Sequence, residues 1–369
     1  MIQWRELARE RLEALQATAI KEWPEAALSP DFPAVETDHT LLFVDGFYIH
    51  SSAPSDVICL ELDQALKSYG LFLQNRWAKA LKEEKDPHYL LNVIDHGRGL
   101  FLYVPPNVEA TLQIRHHSTG GGLASPKMQI TLGKNASLTL VQTGQSELSN
   151  SVIDASLDAG SVLKFYDMQF LSAEAESHTT FRAELKRDAR FELFHATEGA
   201  KKAHFSVSTT LLEENSSFLF RSLGMLREER QAHVHALADH AAPNCTSRQH
   251  VKMALNGHSK SSFEGKIYVL SPAQKTEAYQ LNNNLVLSPD AVAKSKPNLE
   301  IFADDVKASH GATFSQLSDE ELFYLRSRGI PLSEAKALLM QAFCREIIDH
   351  LEVESLKAPL LETMAKVYA

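Results

Sequence analysis

Cysteine is scarce in this chain: Cys59, Cys245 and Cys344 are three residues among 369, with no Cys-x-x-Cys and no short-spaced pair. That excludes a disulfide framework, and an odd count behind a charged, non-secretory start is expected of a reducing compartment. No apolar run approaches membrane-spanning length. No block of lysine and arginine offsets the net charge of −10, so neither nucleic acid nor a membrane is expected as a partner. The chain contains no GxxxxGK[ST] and no GxGxxG opening a helix; "STGGGL" (Ser118–Leu123) lacks the phosphate-binding lysine and reads as a flexible turn. A soluble, cytoplasmic protein is expected.

What is present falls into three textures, with 44% apolar residues to build cores. Residues 1–90 read as a helix-rich region. Trp4, Leu7, Leu12, Leu15 and Ile20 fall on one stripe, and Glu61–Glu84 returns to helical spacing. Between them Thr40–His50 reads as strand, tight turn at Asp45-Gly46, and strand. Residues 91–313 are a β region with short alternating runs. Residues 314–369 read as a helical hairpin. Ser318 and Glu321 have capping-box spacing, Gly329 and Pro331 stop the first helix, and Ser333 caps the second. Its apolar stripe is Ala335, Leu338, Leu339, Ala342, Phe343, Ile347 and Leu351. Such a pair either caps a solenoid or offers a surface to a partner.

A repeat runs through the β region. Segments begin at Leu132, Leu157, Leu185 and Leu212, separated by 25, 28 and 27 residues. Each has a turn former three positions on (Asn135, Gly160, Asp188, Asn215) and then a small residue (Ala136, Ser161, Ala189, Ser216). Apolar residues follow at alternate positions, and a weaker fifth copy is read at Leu255. The turn former bends the chain, the small residue fits a crowded corner, and the alternate apolar side chains fill a shared core. A near-constant period of this length favours a β-helix over an antiparallel sandwich.

Sixteen histidines invite a search for metal ligands. His116 and His117 are adjacent, so a strand sends them to opposite faces. His233 and His235 share a face, with His240 nearby, but further ligands are not assignable and a hydrogen-bonded or solvated pair is the better reading. Cys245 lies between His240 and His250, yet proximity supplies neither a positioned base nor a lowered pKa. All three cysteines read as structural. Asp304 and Asp305 are neighbours, which a strand would point opposite ways, so they do not make a paired acid–base site. His310, before Gly311, reads on its own as a polar residue fixing a strand end.

Residues 263–330 carry more. "AQKTEAYQ", "KPNLEIFADDVK", "SHGAT" and "LFYLRSRGI" resemble the SufB/SufD family of iron–sulfur cluster assembly proteins, with weaker likeness back to "GLFLYVP" near residue 99. Gly311, where the SufB branch has glutamate, is the SufD-like form. Ala308 stands where many SufD proteins have a cysteine, which puts a thiolate ligand there in doubt. The resemblance implies a mainly β fold, a right-handed parallel β-helix core flanked by N-terminal and C-terminal helical regions. It implies a non-catalytic subunit that pairs with a SufB-like scaffold through residues 290–313 and docks a SufC-like ABC ATPase through 318–351. Pairing with itself in isolation is the alternative association. On this chain His310 becomes the candidate interface residue and tentative metal or cluster ligand. Asp304, Asp305 and Lys307 become interface-strand residues, with Ile301 and Val306 as anchors. Leu322, Tyr324, Arg326, Arg328 and Phe343 become ATPase-docking residues. No stably bound cofactor is expected, only transient iron or an iron–sulfur cluster at the subunit interface. The rivals are a SufB-type scaffold that holds the cluster itself, a β-helix polysaccharide-active enzyme, and a pure spacer.

Overall fold

A computed structural model describes residues 39–70 and 84–368 except 120, 121 and 145, together with positions 5, 6, 10, 37, 73, 81 and 82. The expected N-terminal stripe and part of the helix expected over 61–84 lie outside the described residues; Leu62–Ser68 is helical.

Two sheets face each other, one of ten strands and one of nine, and from residue 100 onward successive strands alternate between them. Each strand pairs in parallel with the strand one coil earlier and one coil later, as Glu176–Leu185 does with Leu148–Leu157 and Lys202–Leu211. Next-but-one parallel pairing is the signature of a β-solenoid and excludes the antiparallel sandwich. Inward side chains from both sheets make one continuous core, with Phe181, Phe191 and Phe218 stacked along it and Phe165 edge-on to Phe181.

The corner chemistry matches the repeat. Asn135, Gly160, Asp188 and Asn215 all adopt φ between 57° and 70°, a region open to glycine and tolerated best by Asn and Asp. The next residues, Ala136, Ser161, Ala189 and Ser216, are fully buried. Leu132, Leu157 and Leu185 align in register, but the next position is Leu211 rather than Leu212. The fourth turn is one residue longer, so Leu212 bulges out and is exposed. The copy read at Leu255 belongs to the other edge of the solenoid, where the chain leaves the ten-stranded sheet. The true continuations are Asn244-Cys245 and Lys275-Thr276, again a positive φ followed by a buried small residue.

The hairpin Thr40–Ser51 turns at Asp45-Gly46, where both residues have positive φ, 49° and 82°. That fits the turn that matches strand twist. Its first strand joins the ten-stranded sheet beside Glu109–His117. The helix Pro87–Asp95, capped by Asp86, lies on the outer face of the nine-stranded sheet. There Lys127 bonds the Asp154 carboxylate at 2.6 Å, and the Tyr89 hydroxyl donates to the same group at 3.0 Å.

The C-terminal helices Asp319–Ser327, Leu332–Ile348 and Lys357–Tyr368 follow the last strand. They do not cap the solenoid. The second and third pack sideways on the outer face of the ten-stranded sheet, over Tyr166, Phe194, Leu223 and Met225. That apolar patch sets which side of the helix is buried: Ala335, Met340, Cys344, Ile347, Ile348 and Leu351, while Leu338 and Ala342 face solvent. Ser318 caps the first helix as expected. The second starts two residues early, capped at Pro331, which leaves Ser333 inside it.

Candidate subunit interface

Both sheets stop at the same end of the solenoid. The outermost strands there are Val292–Ile301 and Val306–Ser315, each paired on one side only. Ten residues of unmatched backbone on each make a ready template for another chain. Ala293, Leu299, Ile301, Val306 and Ala308 still pack against the core, but only half-buried, and Phe302 and Phe314 are exposed. Ile301 and Val306 thus anchor the two strands.

His310 sits on the last strand opposite Gln280. Alternation places Ala308, His310 and Ala312 on the inward face, so His310 stands over the open mouth of the core and is itself exposed. The inward column beneath it runs Phe165, Leu193, Phe220, Gln249, Gln280, His310. Apolar for three coils, it turns polar for the last three. Gln280 donates to Gln249 at 2.7 Å. Beside it Asn282 donates to the Val251 carbonyl at 3.2 Å, and Asn284 to Asn282 at 2.8 Å and to the Thr313 carbonyl at 3.1 Å. Gln280 crosses the core against Gly265, where a Cβ would lie 2.3 Å from its amide nitrogen. The signal for this layer is the run of amides in "QLNNN" at 280–284, of which Gln280, Asn282 and Asn284 are buried.

The neighbouring candidates divide. Lys307 lies on the outer face of the last strand, and its ammonium meets Glu277 of the preceding coil at 3.0 Å. The Glu277 hydrogen bond raises its pKa. Asp304 and Asp305 lie in the bend before the strand, not on it; the Asp305 amide donates to the Gln274 side chain at 2.9 Å. At Gly311 an added Cβ would meet only Leu281, at 3.4 Å. The backbone there does not itself require glycine.

On Asp319–Ser327 no residue is buried; Phe323 is 76% and Tyr324 58% exposed. Leu322 is half-buried, and Arg326 and Arg328 are exposed, with Arg328 stacked on the Tyr324 ring at 5.3 Å. Phe343 differs from these: it folds back onto the chain's own sheet beneath the Lys252 ammonium, 4.1 Å from its ring centre.

The other sequence candidates resolve structurally. Cys245 is a corner residue, 3.3 Å from the Ser216 hydroxyl of the coil before. Burial pushes its thiol pKa up, and takes Cys59 to about 11 and Cys344 to about 12. None is a thiolate at neutral pH. His240 bonds Ser247 and His250 bonds Asn283, each at 2.8 Å, so neither serves Cys245. His116 stacks on Phe43 while His117 is exposed.

The family described as "SUF system FeS cluster assembly, SufBD core domain" matches residues 114–343. The iron–sulfur cluster assembly SufBD family protein slr0076 of Synechocystis is 27% identical over 351 residues, 88% of this chain and 77% of the relative. The iron–sulfur cluster assembly protein SufD of Escherichia coli is 39% identical over 163 residues, 44% of this chain and 38% of the relative. Protein ABCI7 of Arabidopsis, a chloroplastic protein, is 29% identical over 270 residues, 68% of this chain and 56% of the relative. The chain therefore spans most of the first relative's length but about two fifths of the second's and just over half of the third's.

Proposed function

Because the chain belongs to the SufBD family of iron–sulfur cluster assembly proteins, we propose that it is the SufD-like, non-catalytic subunit of a SufBCD-type complex. It pairs with a SufB-like scaffold through the open end of its solenoid, and presents its exposed C-terminal helix to a SufC-like ATPase. Iron or a nascent cluster is cargo that passes this interface, with His310 as the residue offered by this chain. The site of action is the cytoplasm; among the described residues no helix is long and apolar enough to cross a membrane.

One observation carries the reading: two half-buried edge strands end together, and the only side chain there with a titratable nitrogen facing inward over the core is His310. A neutral imidazole binds iron or a proton near pH 7. Without a cysteine at Ala308, the soft ligand of the interface comes from the partner.

The test is co-expression with the SufB-like and SufC-like proteins of the same organism, followed by light scattering after gel filtration. A single species containing all three supports the subunit role. A chain that elutes alone, or only with itself, removes it. In cells, His310→Ala is expected to lower cluster formation without unfolding the protein; wild-type yield removes the assignment of His310. A stable cluster on the isolated chain after reconstitution with iron and sulfide would favour the SufB-type scaffold instead.

A further inference from the structure

The inward column that ends at His310 holds an amide with one arm unused. Gln280 lies directly beneath His310, paired with it across the last two strands of the ten-stranded sheet, and is 2% exposed. Its nitrogen is turned back down the solenoid, donating to Gln249 of the preceding coil at 2.7 Å. The carbonyl oxygen, on the other arm of the same amide, is buried and has no hydrogen-bond partner among the described residues. Buried acceptors are rarely left in that state, because the water they gave up is not replaced.

The amide is also held in place. Gly265, on the facing sheet, leaves the slot it occupies: a Cβ there would lie 2.3 Å from the Gln280 nitrogen and 2.5 Å from its carbonyl carbon. The next side chain of the column on the open side is His310, which is exposed, so its ring turns between staggered wells at little cost.

Covalent reach selects the ring nitrogen. The glutamine oxygen lies as many bonds from Cβ as Nε2 does in histidine, whereas Nδ1 is one bond nearer the backbone. Residues paired in a parallel ladder carry their side chains side by side, so Nε2 reaches the depth of the Gln280 oxygen. Nδ1, across the ring, then turns toward the open end. By alternation the other inward neighbours are Ala278 and Asn282 on the adjacent strand and Ser295 and Pro297 on the facing sheet, all uncharged. The charged side chains of the last strands lie on the outer faces, where Lys296 meets Glu264 and Lys307 meets Glu277.

We propose, resting on His310 as the residue this chain offers at the interface, that Gln280 is its positioning residue. The Gln280 oxygen accepts the Nε2–H of the neutral ring, which fixes the tautomer and leaves the Nδ1 lone pair directed out of the solenoid end. Outer-shell acceptors set the tautomer and orientation of ligating histidines in this way.

The test takes the full chain with isotope-labelled histidine rings and reads long-range proton–nitrogen spectra at about pH 9, above the ordinary imidazole range. The His310 signals are those lost in His310→Ala. A single tautomer, protonated on Nε2, is expected. Gln280→Met fills the same slot without an oxygen, and the His310 signals should then average between two tautomers. Gln280→Glu restores an acceptor and with it the Nε2–H form. A tautomer mixture or an Nδ1–H ring in the wild type, or no change in Gln280→Met, overturns the proposal. In cells Gln280→Met should lower cluster formation about tenfold, the loss that removing an outer-shell partner causes, and Gln280→Glu should lower it less. Wild-type yield in Gln280→Met beside a defect in His310→Ala overturns the positioning role and spares His310. Wild-type yield in His310→Ala removes the interface assignment instead, and the ring spectra still decide whether Gln280 holds the imidazole.

Discussion

The Lys252 ammonium, buried on the outer face of the ten-stranded sheet, is joined to the Glu346 carboxylate of the long C-terminal helix. One partner is 4% exposed and the other 60%. The pair therefore reads as a clasp: the sheet supplies a cation that cannot reach bulk water, and the helix brings its counter-charge.

Removing that counter-charge strands the cation. Glu346→Gln is expected to destabilise the helix docking by about 1–2 kcal/mol, between an exposed pair and a buried one. Hydrogen exchange of 332–348 reads it. The Lys252 hydrogen bond lowers the Glu346 pKa below 4.5. Its contribution is thus present above the unfolded value and is lost as pH falls through the folded one. Helix protection should weaken on acidification below about pH 4.5 in the wild type and less so in Glu346→Gln; equal acid sensitivity would refute the clasp.

The close approach of Gly265 and Gln280 predicts a second effect. Gly265→Ala places a Cβ 2.3 Å from the Gln280 amide and 2.6 Å from the Phe263 ring. Overpacking of this kind costs about 1–3 kcal/mol. Gln280→Ala in the same chain should return part of it. Thermal unfolding of the single and double variants decides, and simple additivity would rule out the contact as the cause.

At the corner, Cys245→Ser should change stability by less than about 1 kcal/mol, because Ser161 and Ser216 already fill equivalent corners. Cys245→Leu should cost well over that. Denaturant midpoints measure both, and a reactive role for the thiol would show instead as lost function in the serine variant.

Phe323 and Tyr324 touch little of their own chain. Phe323→Ala with Tyr324→Ala should leave stability within about 0.5 kcal/mol, as exposed positions do. The same change should abolish capture of the SufC-like ATPase in a pull-down. Undiminished capture would move the docking surface elsewhere.

The solenoid was legible where backbone geometry dictates residue type. Asn135, Gly160, Asp188 and Asn215 stand at left-handed turns, and few residues tolerate that conformation. It was illegible where context overrides preference. Asn244 still carries a turn former, but the longer fourth turn shifts its spacing from the preceding copies, and Lys275 and Glu228 adopt the same positive φ with no turn-forming side chain to announce it; Leu255 accordingly belongs to the other edge. The buried face of the last long helix was misjudged by about one residue, because the partner surface, not the helix, chooses the stripe. His310 stood out only through family resemblance. Gln249 and Gln280 went unread because a polar residue on a strand normally signals the solvent face.

The two ends of the solenoid differ in kind. One finishes in parallel strands that continue the coil; the other finishes in antiparallel strands, Phe47–Ser51 and Ile58–Glu61, the first beside a register shift at Leu42/Phe43. A strand edge that continues a repeat invites stacking without limit. Among the described residues the far end has no matching parallel edge, so head-to-tail stacking finds no second step there. An open end met by another open end leaves no edge for a third chain, and such an assembly closes instead of growing into a fibre.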